Sequence, residues 1–179
     1  MADLLVKDHA ELDLLLRDLL AEFDRGGAGD VLAKLDRAWA RLAVHIRAEH
    51  LHLFPSLLKA ADGKREGAAS SSPTTEEVRA GLERLRADHD FFMRELAGCV
   101  NTLRALGARG GPTDERLHAV KSRVVAVCER FAEHNRLEEE QVYLWRRALL
   151  NADEQKALLS ALRREIENLP PRFNADAPH

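Results

Sequence analysis

The residues best equipped for chemistry in this chain occur as a repeated pentapeptide. It reads His45-Ile46-Arg47-Ala48-Glu49, and again His134-Asn135-Arg136-Leu137-Glu138. On an α-helix, an imidazole and a carboxylate four residues apart leave from one face, about 6 Å apart along the axis. One such pair carries little information in a chain with 30 acidic residues and eight histidines. Two copies share a central arginine, and each is preceded by a helix bearing one more histidine, His9 and His89. Together they read as half-shells of one metal site. Imidazole with carboxylate suits iron, manganese or zinc, and nothing in the set is soft enough for copper(I).

The elements that must position these groups are helices. Leu, Ala, Glu and Arg dominate while β-branched residues are few, so the expected fold class is all-α. Leu5, Leu12, Leu16, Leu19 and Phe23 recur at helical spacing from about Asp3 to Asp24, with His9 on or beside the apolar face. Arg25-Gly26-Gly27-Ala28-Gly29 ends this helix and Asp30 can cap the next. The second helix is expected from Val31 to Ala61, with a kink or break at Pro55, just past the His45/Glu49 pair. Residues 62–74 are small, polar and aperiodic and read as a mobile loop. Thr74-Thr75-Glu76-Glu77 offers a capping box to a third helix, which carries Leu82, Leu85, His89, Phe92 and Leu96 and ends near Leu106. Gly107 to Pro112 is a second connection, and a fourth helix is expected from Asp114 to Leu150. Asn151 and Asp153 break and recap the chain ahead of a short helix, Glu154 to Asn168. Residues 1–168 thus form one unit and 169–179 a disordered tail.

Short connections between four long helices predict an antiparallel up-down-up-down bundle. Counting from the turns then levels the histidines. His9 lies about 15 residues before the first turn and His45 about 15 after it; His45 and His89 flank the second loop at about 16 and 14. His89 and His134 flank the third at about 17 and 20, so all four meet at nearly one height. Four polar rings in an apolar interior need partners, and Glu49 and Glu138 add charge that is costly to bury unpaired. A pair of divalent ions would satisfy all six groups, and its redox-active form is di-iron.

The order His, His-x-x-x-Glu, His, His-x-x-x-Glu along four helices resembles the hemerythrin-like (HHE cation-binding) domain, in its bacterial branch. Lys7-Asp8-His9 and the run Glu49-His50-Leu51-His52-Leu53-Phe54-Pro55 agree with it, and the resemblance covers roughly residues 3 to 150. It implies two iron ions, oxo- or hydroxo-bridged, held by His9, His45, Glu49, His89, His134 and Glu138, with both glutamates bridging. Oxygen-carrying hemerythrins add a second histidine four residues after the one on helix three, where this chain has Met93. They also carry Asp five residues after the helix-four histidine, where this chain has Glu138 at four. Six ligands leave at least one ion an open or water-filled position. The resemblance therefore implies a non-haem di-iron protein that binds or reduces O2, peroxide or NO in oxygen or oxidative-stress handling. Catalase-like or peroxidase-like turnover would come from the metal itself, since no catalytic residue stands out beyond the ligands. The alternative is an iron- or oxygen-responsive sensing or homeostasis module without turnover.

The remaining chemistry-bearing residues read as structural. His52 shares the face of His45 about 10 Å along the axis and reads as solvent-facing or as a neighbour of the ligands. His50 and His118 are expected on the surface, His179 in the tail, and Arg47 and Arg136 solvated or salt-bridged. Phe54, Phe92, Met93 and Trp145 read as core, with Phe92 and Met93 able to shape an apolar access pocket one turn from His89. Cys99 and Cys128 form neither a Cys-x-x-Cys pair nor a disulfide framework, which fits buried inert thiols and a cytoplasmic location. With 27 basic and 30 acidic residues, a net charge of −3 and no basic block, neither nucleic acid nor an anionic membrane is an expected partner. Asp3, Lys7, Asp8, Glu11 and Asp13 interrupt the first apolar run, which excludes a signal-peptide core, and no segment is apolar enough to span a bilayer.

Overall fold

The computed structural model describes residues 2–25, 27–63, 72–107, 114–170 and 173. Among them the regular structure is entirely helical. The elements are α1 (Ala2–Arg25), α2 (Ala28–Ala48), α3 (Phe54–Asp62), α4 (Thr75–Gly107), α5 (Asp114–Leu137), α6 (Tyr143–Leu149) and α7 (Ala152–Ile166). Most of the expected loop 62–74 and all but Gly107 of the second connection lie outside the described residues, as do His179 and most of the expected tail. Among the described residues no helix is long and apolar enough to cross a membrane.

Two expected helices are each interrupted. Between α2 and α3, and again between α5 and α6, runs a five-residue π-helical segment, Glu49–Leu53 and Glu138–Val142. Phe54 N–H donates to Glu49 O and Tyr143 N–H donates to Glu138 O, each bond closing over five residues instead of four. The expected kink at Pro55 is thus a change of helix type just before it, and Pro55 then sits in the first turn of α3, where its missing N–H costs nothing. Proline cannot be the common cause, because Leu144 holds the matching position after Glu138. What the two segments share is their first residue, a fully buried glutamate.

Asp30 does not cap α2, which begins ahead of it at Ala28 with Gly27 as N-cap and no side-chain cap hydrogen bond. The other two expected caps form. Thr74 N–H donates to Glu77 Oε2 at 2.7 Å and Glu77 N–H donates back to Thr74 Oγ1 at 3.1 Å, opening α4. Asn151 and Glu154 make the same reciprocal pair at 2.9 and 3.0 Å, so α7 starts at Ala152 rather than at Glu154.

Packing runs in a ring: α1 against α2, α2 against α4, α4 against α5, and α5 against α1. Helix α7 lies across α2 and the first π segment. The apolar core is divided in two. Leu12, Leu42, Phe92 and Phe131 belong to one cluster, while Leu5, Ala48, Leu85 and Val142 belong to the other. Along every one of the four helices the change-over falls at or beside a histidine of the predicted set. The polar layer sits between two dry plugs, whose fully buried leucines each contribute about 1.5–3 kcal/mol to offset its desolvation.

Candidate metal centre

The six residues singled out by spacing converge in that layer, and none is more than 3 % exposed. Their ligand-type atoms form two groups of four, His9–His45–Glu49–Glu138 and His89–His134–Glu49–Glu138, each within 4.8 Å. The glutamates belong to both. Glu49 turns Oε1 toward His45 Nε2 at 3.5 Å and Oε2 toward His89 Nε2 at 3.3 Å. Glu138 turns Oε2 toward His9 Nε2 at 3.2 Å and Oε1 toward His134 Nε2 at 3.6 Å.

Every Nε2 faces inward because every Nδ1 is held from outside. His9 Nδ1 pairs with Glu139 Oε1 at 2.9 Å, His45 Nδ1 with Asp8 Oδ2 at 2.7 Å, and His134 Nδ1 with Asp88 Oδ2 at 3.3 Å. A carboxylate only accepts, so each of these Nδ1 atoms donates and leaves an Nε2 lone pair aimed at the centre. His89 differs: its Nδ1 pairs with His50 Nε2 at 2.9 Å. His50 is therefore half-buried, contrary to the expected surface position. The step of about 100° from Glu49 turns it toward α4, which packs on that flank of α2, rather than toward solvent. Behind the carboxylates stand arginines, Arg41 on Asp8 and Arg130 on Asp88.

His89 Nε2 and His134 Nε2 lie 3.1 Å apart, within hydrogen-bond distance, but other inner atoms are left without partners. Both oxygens of Glu49, Glu138 Oε1 and His45 Nε2 are buried and accept or donate no hydrogen bond. Burial and the charge of Glu138 push the Glu49 carboxyl well above the usual carboxylate range. Burial acts the same way on Glu138, but His134 and His9 outweigh it and hold that carboxyl low. Burial likewise lowers His45 and His89, whereas at His9 the pull of Glu138 and Glu139 overcomes burial and raises it. Left to itself, such a cluster buries negative charge at high cost. Imidazole nitrogens and carboxylate oxygens grouped around two points, four of them without a hydrogen bond, are a donor set suited to borderline-to-hard cations.

The sequence model of the hemerythrin HHE cation binding domain matches residues 1–146. The chain belongs to this family. No curated protein and no solved structure matches it. All six clustered residues lie inside the HHE match, and α7 lies beyond it.

Five contributors to the HHE site escaped the reading of the sequence: Asp8, Asp88, Glu139, Tyr143 and His50. The first two had a signal, since Asp8-His9 and Asp88-His89 are the same dipeptide, yet each aspartate serves the histidine of a neighbouring helix. Tyr143, 4 % exposed, sets its hydroxyl 3.2 Å from His9 Nε2 and 3.5 Å from Glu138 Oε2. Burial and the Glu138 and Glu49 charges hold its phenol well above its ordinary pKa. In a regular α-helix it would point about 140° away from Glu138; the π segment returns it to the same face.

The other readings divide. Arg47 pairs with Glu165 and donates to Asn168 O at 3.2 Å, tying α2 to α7 and to the residues beyond it, and Arg136 is exposed. His52 stands outside the cluster, 3.8 Å from Glu165, and His118 is exposed. Phe54 and Phe92 are core, Met93 and Trp145 half-buried. One surface depression that reaches the site, about 350 Å³, is lined by residues including His9, Asn135 and Glu139 and not by Phe92 or Met93. Cys99 and Cys128 are free thiols raised by burial, Cys128 to about 11.

Proposed function

We propose that this chain is a cytosolic non-haem di-iron protein that binds or reduces O2, peroxide or NO. In this reading α1, α2, α4 and α5 run antiparallel, up-down-up-down. His9 and His45 would hold one ion and His89 and His134 the other, with Glu49 and Glu138 shared between them. The observation that carries it is the pair of fully buried glutamates, each offering one oxygen to each histidine pair, with three of the four oxygens lacking any hydrogen bond.

Bound iron supplies one-electron redox change and an exchangeable position for a small ligand. The chain supplies the rest. Asp8, Asp88 and Glu139 keep the Nδ1 protons of three histidines in place, which fixes ring orientation and makes the inward nitrogens more basic. The two apolar clusters keep bulk water from the layer, so its electrostatic interactions act at low effective dielectric. Two unpaired cysteines, raised and unreactive, accord with a reducing compartment.

The test is direct. Protein expressed with iron should carry two irons per chain, and its visible charge-transfer absorption should change when O2 or peroxide is added. Negligible metal, or zinc alone, overturns the reading. Peroxide turnover in the wild type, abolished in Glu138→Ala, would mark a catalyst; iron without turnover would mark a binder or sensor.

A further inference from the structure

We infer that the phenol oxygen of Tyr143 is a seventh metal ligand, on the ion of the His9–His45 half; the inference rests on the di-iron reading above. Three atoms carry it. His9 Nε2, Glu138 Oε2 and Tyr143 Oη form a triangle with sides of 3.2, 3.5 and 3.2 Å. Adjacent ligands on a cation with bonds of about 2.0–2.2 Å stand about 3 Å apart, so this is the spacing of one face of a coordination shell. His9 donates its Nδ1 proton to Glu139, which leaves its Nε2 lone pair pointing where the phenol oxygen also points.

The internal repeat shows that packing does not explain the hydroxyl. Phe54 stands five residues after Glu49 and opens α3; Tyr143 stands five residues after Glu138 and opens α6. Phe54 stacks on His89 with centroids 5.8 Å apart and planes within 3°, and Tyr143 stacks on His9 at 6.0 Å and 23°. Both rings are delivered by a π segment to a histidine of the site. The two rings therefore match in placement and differ by one hydroxyl, and the ring without it is fully buried. Ligation releases the phenol proton to solvent and gives the first ion five protein ligands against four on the second. The exchangeable position then belongs to the His89–His134 ion, the side on which Met93 stands in helix α4.

Tyr143 is the only tyrosine of the chain, so any phenolate signal must come from it. Metal-free protein is loaded with ferrous iron and oxidised in air, metal content is measured, and visible absorption and resonance Raman spectra are taken. A phenolate-to-iron(III) charge-transfer band with tyrosinate ring modes is expected, and both should vanish in Tyr143→Phe at equal iron content and unchanged helicity. Phe54 shows that phenylalanine is accommodated at the matched position. Zinc added to the metal-free protein at neutral pH should produce the ultraviolet difference spectrum of tyrosinate, again absent in Tyr143→Phe. Metal uptake without these signatures, or a band that survives the substitution, overturns the inference alone. Absence of metal uptake overturns the di-iron reading with it.

Discussion

Asp8 Oδ2 accepts a hydrogen bond from His45 Nδ1 at 2.7 Å, with both side chains buried, while Asp8 also pairs with Arg41. The histidine belongs to α2 and the aspartate to α1, so this contact joins the bundle to the site. Asp8→Asn keeps an acceptor but removes the charge that makes the imidazole basic, and it leaves Glu11, 3.3 Å away, as the carboxylate partner of the buried Arg41. Metal affinity should fall about 10–100-fold, measured by competition with a chelator of known affinity. Unchanged affinity would reduce Asp8 to a packing residue.

Metal should stabilise the fold and Glu49→Gln should remove that effect. Free metal at 100 times its Kd adds about 2.7 kcal/mol to the stability of a protein that binds it only when folded. In the metal-free state, burial and Glu138 already oppose ionisation of Glu49. The neutral variant should therefore match or exceed wild type without metal and gain far less on metal addition. Denaturant midpoints with and without metal decide this, and an undiminished gain in the variant would contradict a bridging Glu49.

The tie between α1 and α2 on the outer flank should show a bell-shaped pH dependence. Lys34 Nζ lies 2.7 Å from Asp18 and 2.9 Å from Glu22. Its hydrogen bonds lower both carboxyls, and theirs raise the ammonium. Lowered carboxyls stabilise above their unfolded values, near pH ~4, and lose that contribution as pH falls through the folded ones; the raised ammonium loses its share as pH rises beyond ~10.4. The stability difference between wild type and Lys34→Met should be greatest between those limits and shrink outside them. A difference independent of pH would mean that packing of the lysine stem dominates.

Removing the α7 cap should separate stability from metal binding. Asn151→Ala loses the acceptor for Glu154 N–H and should cost about 1 kcal/mol. No clustered residue lies on α7, so metal content should be unchanged in the same preparation. A parallel loss of metal would show that α7, packed on the first π segment, controls the site.

The six clustered residues were legible because each piece of the signal is local. His45 with Glu49 and His134 with Glu138 share a face through the fixed rise and turn of one helix, and His9 and His89 follow from counting residues to the nearest turn. The caps at Thr74 and Asn151 were legible for the same reason, as side-chain hydrogen bonds that span three residues.

The residues that escaped are those whose partners depend on a neighbouring helix or on a departure from regular geometry. Asp8 and Asp88 sit beside one histidine in the chain but serve another, because each points across the helix interface. His50 reaches His89 because α4 covers a flank that periodicity assigns to solvent. Tyr143 enters the site because the helix carries one additional residue in the turn after Glu138, which periodicity excludes. Spacing along the chain thus specifies the inner set of imidazoles and carboxylates, since the helical repeat is a constant of the backbone. Only the packed bundle specifies which groups support those residues and what distinguishes one half of the site from the other, because both arise from contacts between helices and from local breaks in that repeat.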